Sequence, residues 1–299
     1  MTKLKEKWEY HGPDYGFRFK VPRELLTTFD PSDQNDPLAM QFIPNELEYA
    51  SDGKIDPLEE HALINDGILQ KYKHRVLITT TGACAVHCRY CFRRHFPYEE
   101  NSILKSLDKL TKFLIENTDI NEIIFSGGDP LMLKNHHIAK IIEVLQSINH
   151  IQIIRFHTRI PTVQPERIDD GFLEIIKKHN RFKWVVVTHI NHPKEINREN
   201  QKAIHRLRTH GITMLNQSVL LKGVNNSCET LRTLSLELFN TGILPYYLHQ
   251  LDLVKGAMHF FVPVEEGKRI IKSLQTKLPG YLVPKYVQEQ PGQPNKTVL

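Results

Sequence analysis

The sequence predicts an α/β protein built as a partial (β/α)6 TIM-like barrel, and three observations predict it. Six segments rich in β-branched and aromatic residues each precede a stretch of helical periodicity, recurring at about 25 to 35 residues. Alternation of this kind calls for parallel strands joined by right-handed helical crossovers. Six units favour an open barrel over the closed eight-unit form, although a doubly wound sheet has the same local pattern.

The elements follow in order. Residues 1–70 carry turn-rich punctuation ("PSDQNDP", "SDGKIDP") and short helical patches near 23–29 and 58–63, so they read as a helical extension packed on the barrel. The barrel spans 71–278. Its first strand is "RVLITTT", followed by a cysteine loop and then a helix. In that helix Ile103, Leu104, Leu107, Leu110 and Leu114 recur at helical spacing behind an Asn101/Ser102 cap. "NEIIFSGGDP" is a strand and a glycine turn before a helix near 137–148. "QIIRFHT", "FKWVVVTHI", "ITMLNQSVLL" and "LPYYLHQLDL" precede helices near 168–179, 195–210, 229–240 and 265–277. Residues 279–299 form a C-terminal segment. The working face of either architecture lies at the carboxyl ends of the strands. Polar residues gather there: Cys84, 127–129, 157–159, 189–192, Gln217 and Asp252.

Composition narrows the function. Hydrophobic content of 40% and charged content of 24% suit a soluble globular chain, and a net charge of +5 permits anionic ligands without arguing for nucleic acid. No apolar run is long enough to span a membrane, and "MTKLKEKWEYHG" lacks the apolar core of a secretory signal. Three crowded thiols last best in a reducing compartment, which makes a cytoplasmic location the expectation.

The thiols themselves, Cys84-x3-Cys88-x2-Cys91, follow the first strand. A zinc site would need His87 or His95 as fourth ligand, and a second pair of ligands downstream is missing. A zinc-stabilised RNA binder would use the same cysteines with "RRHF" but would leave six βα units idle. An iron–sulfur cluster held by three thiolates leaves one iron open, which makes chemical sense when that iron is used. Cys228, alone at a helix start, reads as an ordinary buried thiol.

The three-cysteine motif, with Tyr90 before its third cysteine, resembles the radical S-adenosylmethionine superfamily, and "SGGDP" resembles that superfamily's glycine-rich turn. "NDPLAMQFIP", "CRYCFRRHFPY", "THINHPKEI", "LNQSVLLKGVN", "YYLHQLDLVKGAMHF" and "GYLVPKYVQEQPGQPNK" extend the likeness, over nearly the whole chain, to the lysine 2,3-aminomutase family. Within it the chain resembles the branch that makes β-lysine for elongation factor P. The resemblance implies a radical S-adenosylmethionine core and an isomerase that converts (S)-α-lysine to (R)-β-lysine. A lysyl-tRNA-synthetase-like ligase would attach the product to elongation factor P. A free-lysine enzyme of metabolism is the alternative.

The same resemblance assigns residues. Cys84, Cys88 and Cys91 would hold a [4Fe-4S] cluster whose open iron takes S-adenosyl-L-methionine. Tyr90, Ser126, Gly127, Gly128, Asp129, His189 and Gln217 would stand near that cofactor. Lys296, ending "PGQPNK", would carry pyridoxal 5′-phosphate as a Schiff base, although Gln293, Pro294 and Asn295 replace the family's glycines. Lys71, Tyr72 and Arg75 would contact its phosphate from the segment before the first strand, where a solvated basic turn is the plainer alternative. Arg93 would fork onto the substrate carboxylate, while Asp252 and Glu289 would receive the ε-ammonium, Glu289 standing where aspartate is usual. Two acids at that end argue against an anionic substrate such as glutamate. Arg94 has no assigned role. An external electron donor such as flavodoxin or ferredoxin is implied, with no membrane or direct nucleic-acid contact; the sequence does not specify an oligomeric state.

Overall fold

The computed structural model describes residues 16–299 apart from 31, 34, 50, 51, 99 and 100. The signal-free reading of 1–12 lies outside them. One ten-stranded sheet organises the described residues, its strands lying in chain order. β1 (Ile64–Asn65), β2 (Ile68–Tyr72) and β3 (Arg75–Thr81) form an antiparallel meander. From β3 onward the pairing is parallel, through β4 (Glu122–Gly127), β5 (Ile153–Thr158), β6 (Lys183–Thr188), β7 (Thr213–Val219), β8 (Leu244–His249) and β9 (Lys285–Gln288). β10 (Thr297–Val298) folds back antiparallel on β9. The crossovers carry α1 (Leu107–Glu116), α2 (Asn135–Gln146), α3 (Asp170–Lys178), α4 (Arg198–Thr209), α5 (Cys228–Thr241) and α6 (Val264–Gln275).

The strands divide their labour by face, because side chains alternate across a sheet. Val76, Ile78, Ile123, Phe125, Ile154, Phe156, Val186, Met214 and Leu248 are buried in one apolar cluster with Leu110, Ile141, Phe172, Ile204, Leu234 and Leu274 of the helices. Each such side chain stabilises the fold by roughly 1.5–3 kcal/mol relative to exposure. The alternate positions face inward and mix polar with apolar residues: Ser126, Arg155, His157, Gln217, Tyr247 and His249 line an internal cavity beside Leu77, Ile124 and Val219. The core therefore lies between sheet and helices, and the barrel interior is left for chemistry.

Several local expectations are corrected. The segment before the expected first strand is itself a strand: Lys71 and Tyr72 stand in β2, which excludes the solvated turn. Residues 58–63 make turns and no helix; near 23–29 a single helical turn covers Arg23–Leu26. The Asn101/Ser102 cap is absent. A 3-10 turn, Ile103–Lys105, precedes α1, and Ser102 makes no side-chain cap, its hydroxyl donating instead to the Thr80 carbonyl at 3.3 Å. The cause is tertiary. Ile103 is wholly buried, and a Cβ on Gly67 would stand 2.6 Å from its nitrogen, so the β1–β2 hairpin presses on the chain there and the helix starts a turn later.

The extension binds the cysteine loop through buried charge. Glu48 accepts from Arg89 Nε at 2.8 Å and from Arg94 NH2 at 2.8 Å, and Arg94 NH1 donates to the Gly256 carbonyl at 2.9 Å. Arg94 thus has a structural task that its position in the motif did not reveal.

Candidate active site

A cavity of about 310 Å³ opens at the carboxyl ends of the parallel strands, and every residue expected at the site lines it. Parallel strands end together, so the loops after β3, β4, β5, β6, β8 and β9, with the end of β7 itself, deliver residues far apart in sequence to one chamber.

The three thiols sit on the loop after β3, none in a disulfide. Burial, followed by the neighbouring sulfurs, raises the Cys91 thiol to about 11 and pushes Cys84 higher still. Arg159 NH1 donates to Cys88 Sγ at 3.1 Å. Among the described residues no three His, Cys, Asp or Glu side chains are drawn together around a single metal ion. The histidines considered as a fourth ligand are engaged elsewhere: His87 Nδ1 lies 2.6 Å from the Arg18 carbonyl, and His95 Nε2 lies 3.3 Å from that of Lys255.

The glycine turn at the end of β4 grips this loop by its backbone. Gly128 N donates to the Thr81 carbonyl at 2.7 Å and Asp129 N to that of Ala83 at 2.8 Å. A Cβ on Gly127, at φ +123°, would meet the Thr81 oxygen at 2.5 Å, and one on Gly128 would meet the Ala83 oxygen at 2.5 Å. Only glycine permits that approach. Asp129 is occupied within the protein, accepting from Thr158 Oγ1 at 2.6 Å, Arg159 N at 2.7 Å and Leu131 N at 3.0 Å. His189 Nε2 lies 3.0 Å from the Tyr90 hydroxyl. Gln217 faces the cavity with no hydrogen-bond partner for its amide among the described residues.

At the far side the two margins of the sheet meet through side chains. Tyr72 of β2 donates to Glu289 at 3.0 Å, Lys296 Nζ pairs with Glu289 and donates to Tyr72 Oη at 3.3 Å, and Lys71 Nζ lies 3.9 Å from Glu289. Burial alone would lower the Lys296 ammonium, but the Glu289 carboxylate outweighs it and the group is raised. Asp252 stands in the same chamber. Its enclosure, then the Glu289 and Glu60 carboxylates, push it up to about 7. Arg75 lies 3.8 Å over the Tyr72 ring and makes no ion pair among the described residues.

Arg93 is not idle. Its Nε and NH2 fork onto Glu60 at 2.6 and 3.0 Å, and NH1 donates to Ser126 Oγ at 3.1 Å. Glu60 also pairs with Lys71 at 3.1 Å. Burial would raise the Glu60 carboxyl, but Arg93 and Lys71 outweigh it and hold it near 2. Sequence reasoning missed Glu60, Arg155 and His249, and placed His157 and Arg159 at a strand end without assigning either a role. Burial, then nearby cations, drops His249 to about 3 and His157 well below its usual range, so both are neutral. Only the polar residues of "QIIRFHT" and "YYLHQ", at inward strand positions, signalled them.

The residues fit the groups such a chamber would hold. Three unpaired thiols on one loop suit a metal–sulfur cluster with one corner open, and a lysine amine beside Arg75 and Lys71 suits an aldehyde cofactor bearing a phosphate. An open parallel barrel with three loop thiols after its first parallel strand defines a radical S-adenosylmethionine enzyme, and residues 78–234 match the model of the radical SAM superfamily. Two relatives, both named L-lysine 2,3-aminomutase, narrow this. The one from Haemophilus influenzae is 47% identical over 286 residues, covering 94% of this chain and 84% of that protein. The one from Escherichia coli is 42% identical, covering 95% and 83%. A radical SAM methyltransferase from Sphaerobacter thermophilus shares the fold at a TM-score of 0.52 and 16% identity, covering 74% of this chain and 68% of its own. The chain belongs to the lysine 2,3-aminomutase family. It is an isomerase of mixed α/β fold, and its superfamily uses a [4Fe-4S] cluster and S-adenosylmethionine. Among the described residues no helix is long and apolar enough to cross a membrane.

Proposed function

We propose that this protein moves the α-amino group of L-lysine to the neighbouring carbon, making (R)-β-lysine from (S)-α-lysine. One observation carries the reading: a single chamber joins three loop thiols to a lysine amine, a buried arginine and two carboxylates. When bound, the cluster with S-adenosylmethionine supplies a carbon radical for hydrogen abstraction, and pyridoxal phosphate carries the migrating nitrogen.

The chain's own residues do the rest. Cys84, Cys88 and Cys91 hold the cluster, Lys296 tethers the aldehyde cofactor, and Lys71 and Arg75 face its phosphate. Arg93, already oriented by Glu60 and Ser126, keeps guanidinium N–H groups for the substrate carboxylate. Glu289 and Asp252 take the ε-ammonium. The Lys296 ammonium now on Glu289 fills the place of that substrate group. Held in a Schiff base, Lys296 would no longer sit on Glu289 as an ammonium, and Glu289 would keep Tyr72 and the more distant Lys71 while its Lys296 side opened to the substrate's charge. Residues 71–278 serve as the catalytic barrel, 1–70 as its clasp and 279–299 as the bearer of the cofactor lysine. Delivery of the product to elongation factor P through a lysyl-tRNA-synthetase-like ligase, and reduction by flavodoxin or ferredoxin, belong to the same reading.

Anaerobic reconstitution with iron and sulfide tests it. The expected protein is brown, gains a visible absorption band with pyridoxal phosphate that Lys296→Ala abolishes, and converts α-lysine but not glutamate. A colourless protein without that band would sink the proposal. Loss of elongation factor P modification on deleting the gene separates the translation role from free-lysine metabolism.

A further inference from the structure

Behind Cys88 lies a buried polar cluster that the proposed reaction does not use. Arg159, at the end of β5, is 6% exposed. Its NH1 donates to Cys88 Sγ at 3.1 Å and to the Tyr90 hydroxyl, and its NH2 donates to Gln41 Oε1 at 2.8 Å and Glu195 Oε2 at 2.6 Å. Its Nε has no partner among the described residues. The surroundings are fixed in turn. Asn191 Nδ2 donates to Tyr90 Oη at 2.7 Å and Gln41 Oε1 at 3.0 Å, and Glu195 Oε1 accepts from Asn191 N at 2.8 Å. A buried guanidinium needs anionic partners. Glu195 is one, and the sulfur of Cys88, as a metal-bound thiolate, is the other within reach.

We infer that Arg159 is a positioning residue that sets the reduction potential of the cluster through its N–H···S contact with Cys88, with Glu195 as the opposing charge. This rests on the reading that Cys84, Cys88 and Cys91 hold a [4Fe-4S] cluster. An external one-electron donor of the flavodoxin or ferredoxin class is oxidised as the cluster goes from 2+ to 1+; no proton moves and no bond breaks. The added negative charge is stabilised by a fixed cation at a cysteine ligand more than the oxidised state is, so Arg159 raises the potential.

The test is an anaerobic redox titration of reconstituted protein, followed by electron paramagnetic resonance without substrate. Arg159→Met is expected to disfavour reduction at least tenfold, a drop of about 59 mV for one electron. Arg159→Lys, which keeps the charge, should recover most of that loss. Glu195→Gln should shift the potential upward. Unchanged potentials in Arg159→Met and Glu195→Gln proteins of wild-type iron content would overturn the inference. If Arg159→Met takes up no iron, the Glu195→Gln shift decides alone, upward for the inference and none against it. Wild-type protein with no cluster signal would instead overturn the reading beneath it.

Discussion

Asp252 shows how much one side chain's surroundings can encode. Held near 7 by enclosure and by the Glu289 and Glu60 carboxylates, it carries a proton on about half of empty molecules at neutral pH. On the proposed reading a substrate ammonium beside Asp252 favours the ionised form, so binding would expel that proton below pH 7. The Michaelis constant for lysine should therefore fall by up to about tenfold per pH unit as pH rises toward 7, then level off. Asp252→Asn should flatten that profile and raise the constant about 10- to 100-fold, from the loss of a charge-assisted hydrogen bond. Steady-state kinetics from pH 5.5 to 8.5 in both proteins checks this. The stability sign is the reverse. A carboxyl whose folded value is raised stabilises the protein at low pH and loses that contribution as pH climbs toward 7, so the empty Asp252→Asn protein should melt higher than wild type above pH 7.

Turns, more than strands, decide how the elements assemble the site. The β4 turn and the cysteine loop share backbone hydrogen bonds at a spacing that a single methyl group would break, since a Cβ at residue 128 would lie 2.5 Å from a main-chain oxygen that cannot swing away. Gly128→Ala should therefore displace the thiol loop, lowering iron retained after reconstitution at least several-fold, while the helical circular dichroism stays unchanged because the barrel core is untouched. Measuring iron and sulfide per chain checks it. This is also where the sequence was most legible. The three thiols and "SGGDP" are contiguous motifs, and the six strand–helix units announce themselves by periodicity. Glu60 and the task of Arg159 were not legible, because they depend on partners 33 and 71 residues away, Arg93 and Cys88. β2 was missed because Lys71 and Tyr72 look like a solvated turn until their inward contacts with Glu60 and Glu289 are known.

On the scale of the whole molecule, the sheet's chain-ordered strands leave β1 and β10 unpaired with each other, so its two margins are joined near the cavity by side chains and not by a backbone ladder. Glu60 is central to that seam, binding Arg93 from the cysteine loop and Lys71 from β2, while Lys71, Tyr72 and Lys296 meet at Glu289 of the opposite margin. Removing its charge leaves the buried Arg93 guanidinium without its counter-ion and the Lys71 ammonium with only the more distant Glu289. Glu60→Gln should thus destabilise the protein by about 3–5 kcal/mol, the range for breaking a buried pair from one side. The pH signature separates this from loss of packing. The Glu60 carboxyl falls from 4.5 to about 2 on folding, so its contribution is fully present above about pH 4.5 and is lost as pH drops toward 2. Denaturant titrations should show the wild-type advantage over Glu60→Gln constant from pH 5 to 7 and shrinking steadily below pH 4.5. An advantage that stayed constant down to pH 2.5 would mean that packing, not charge, closes the seam.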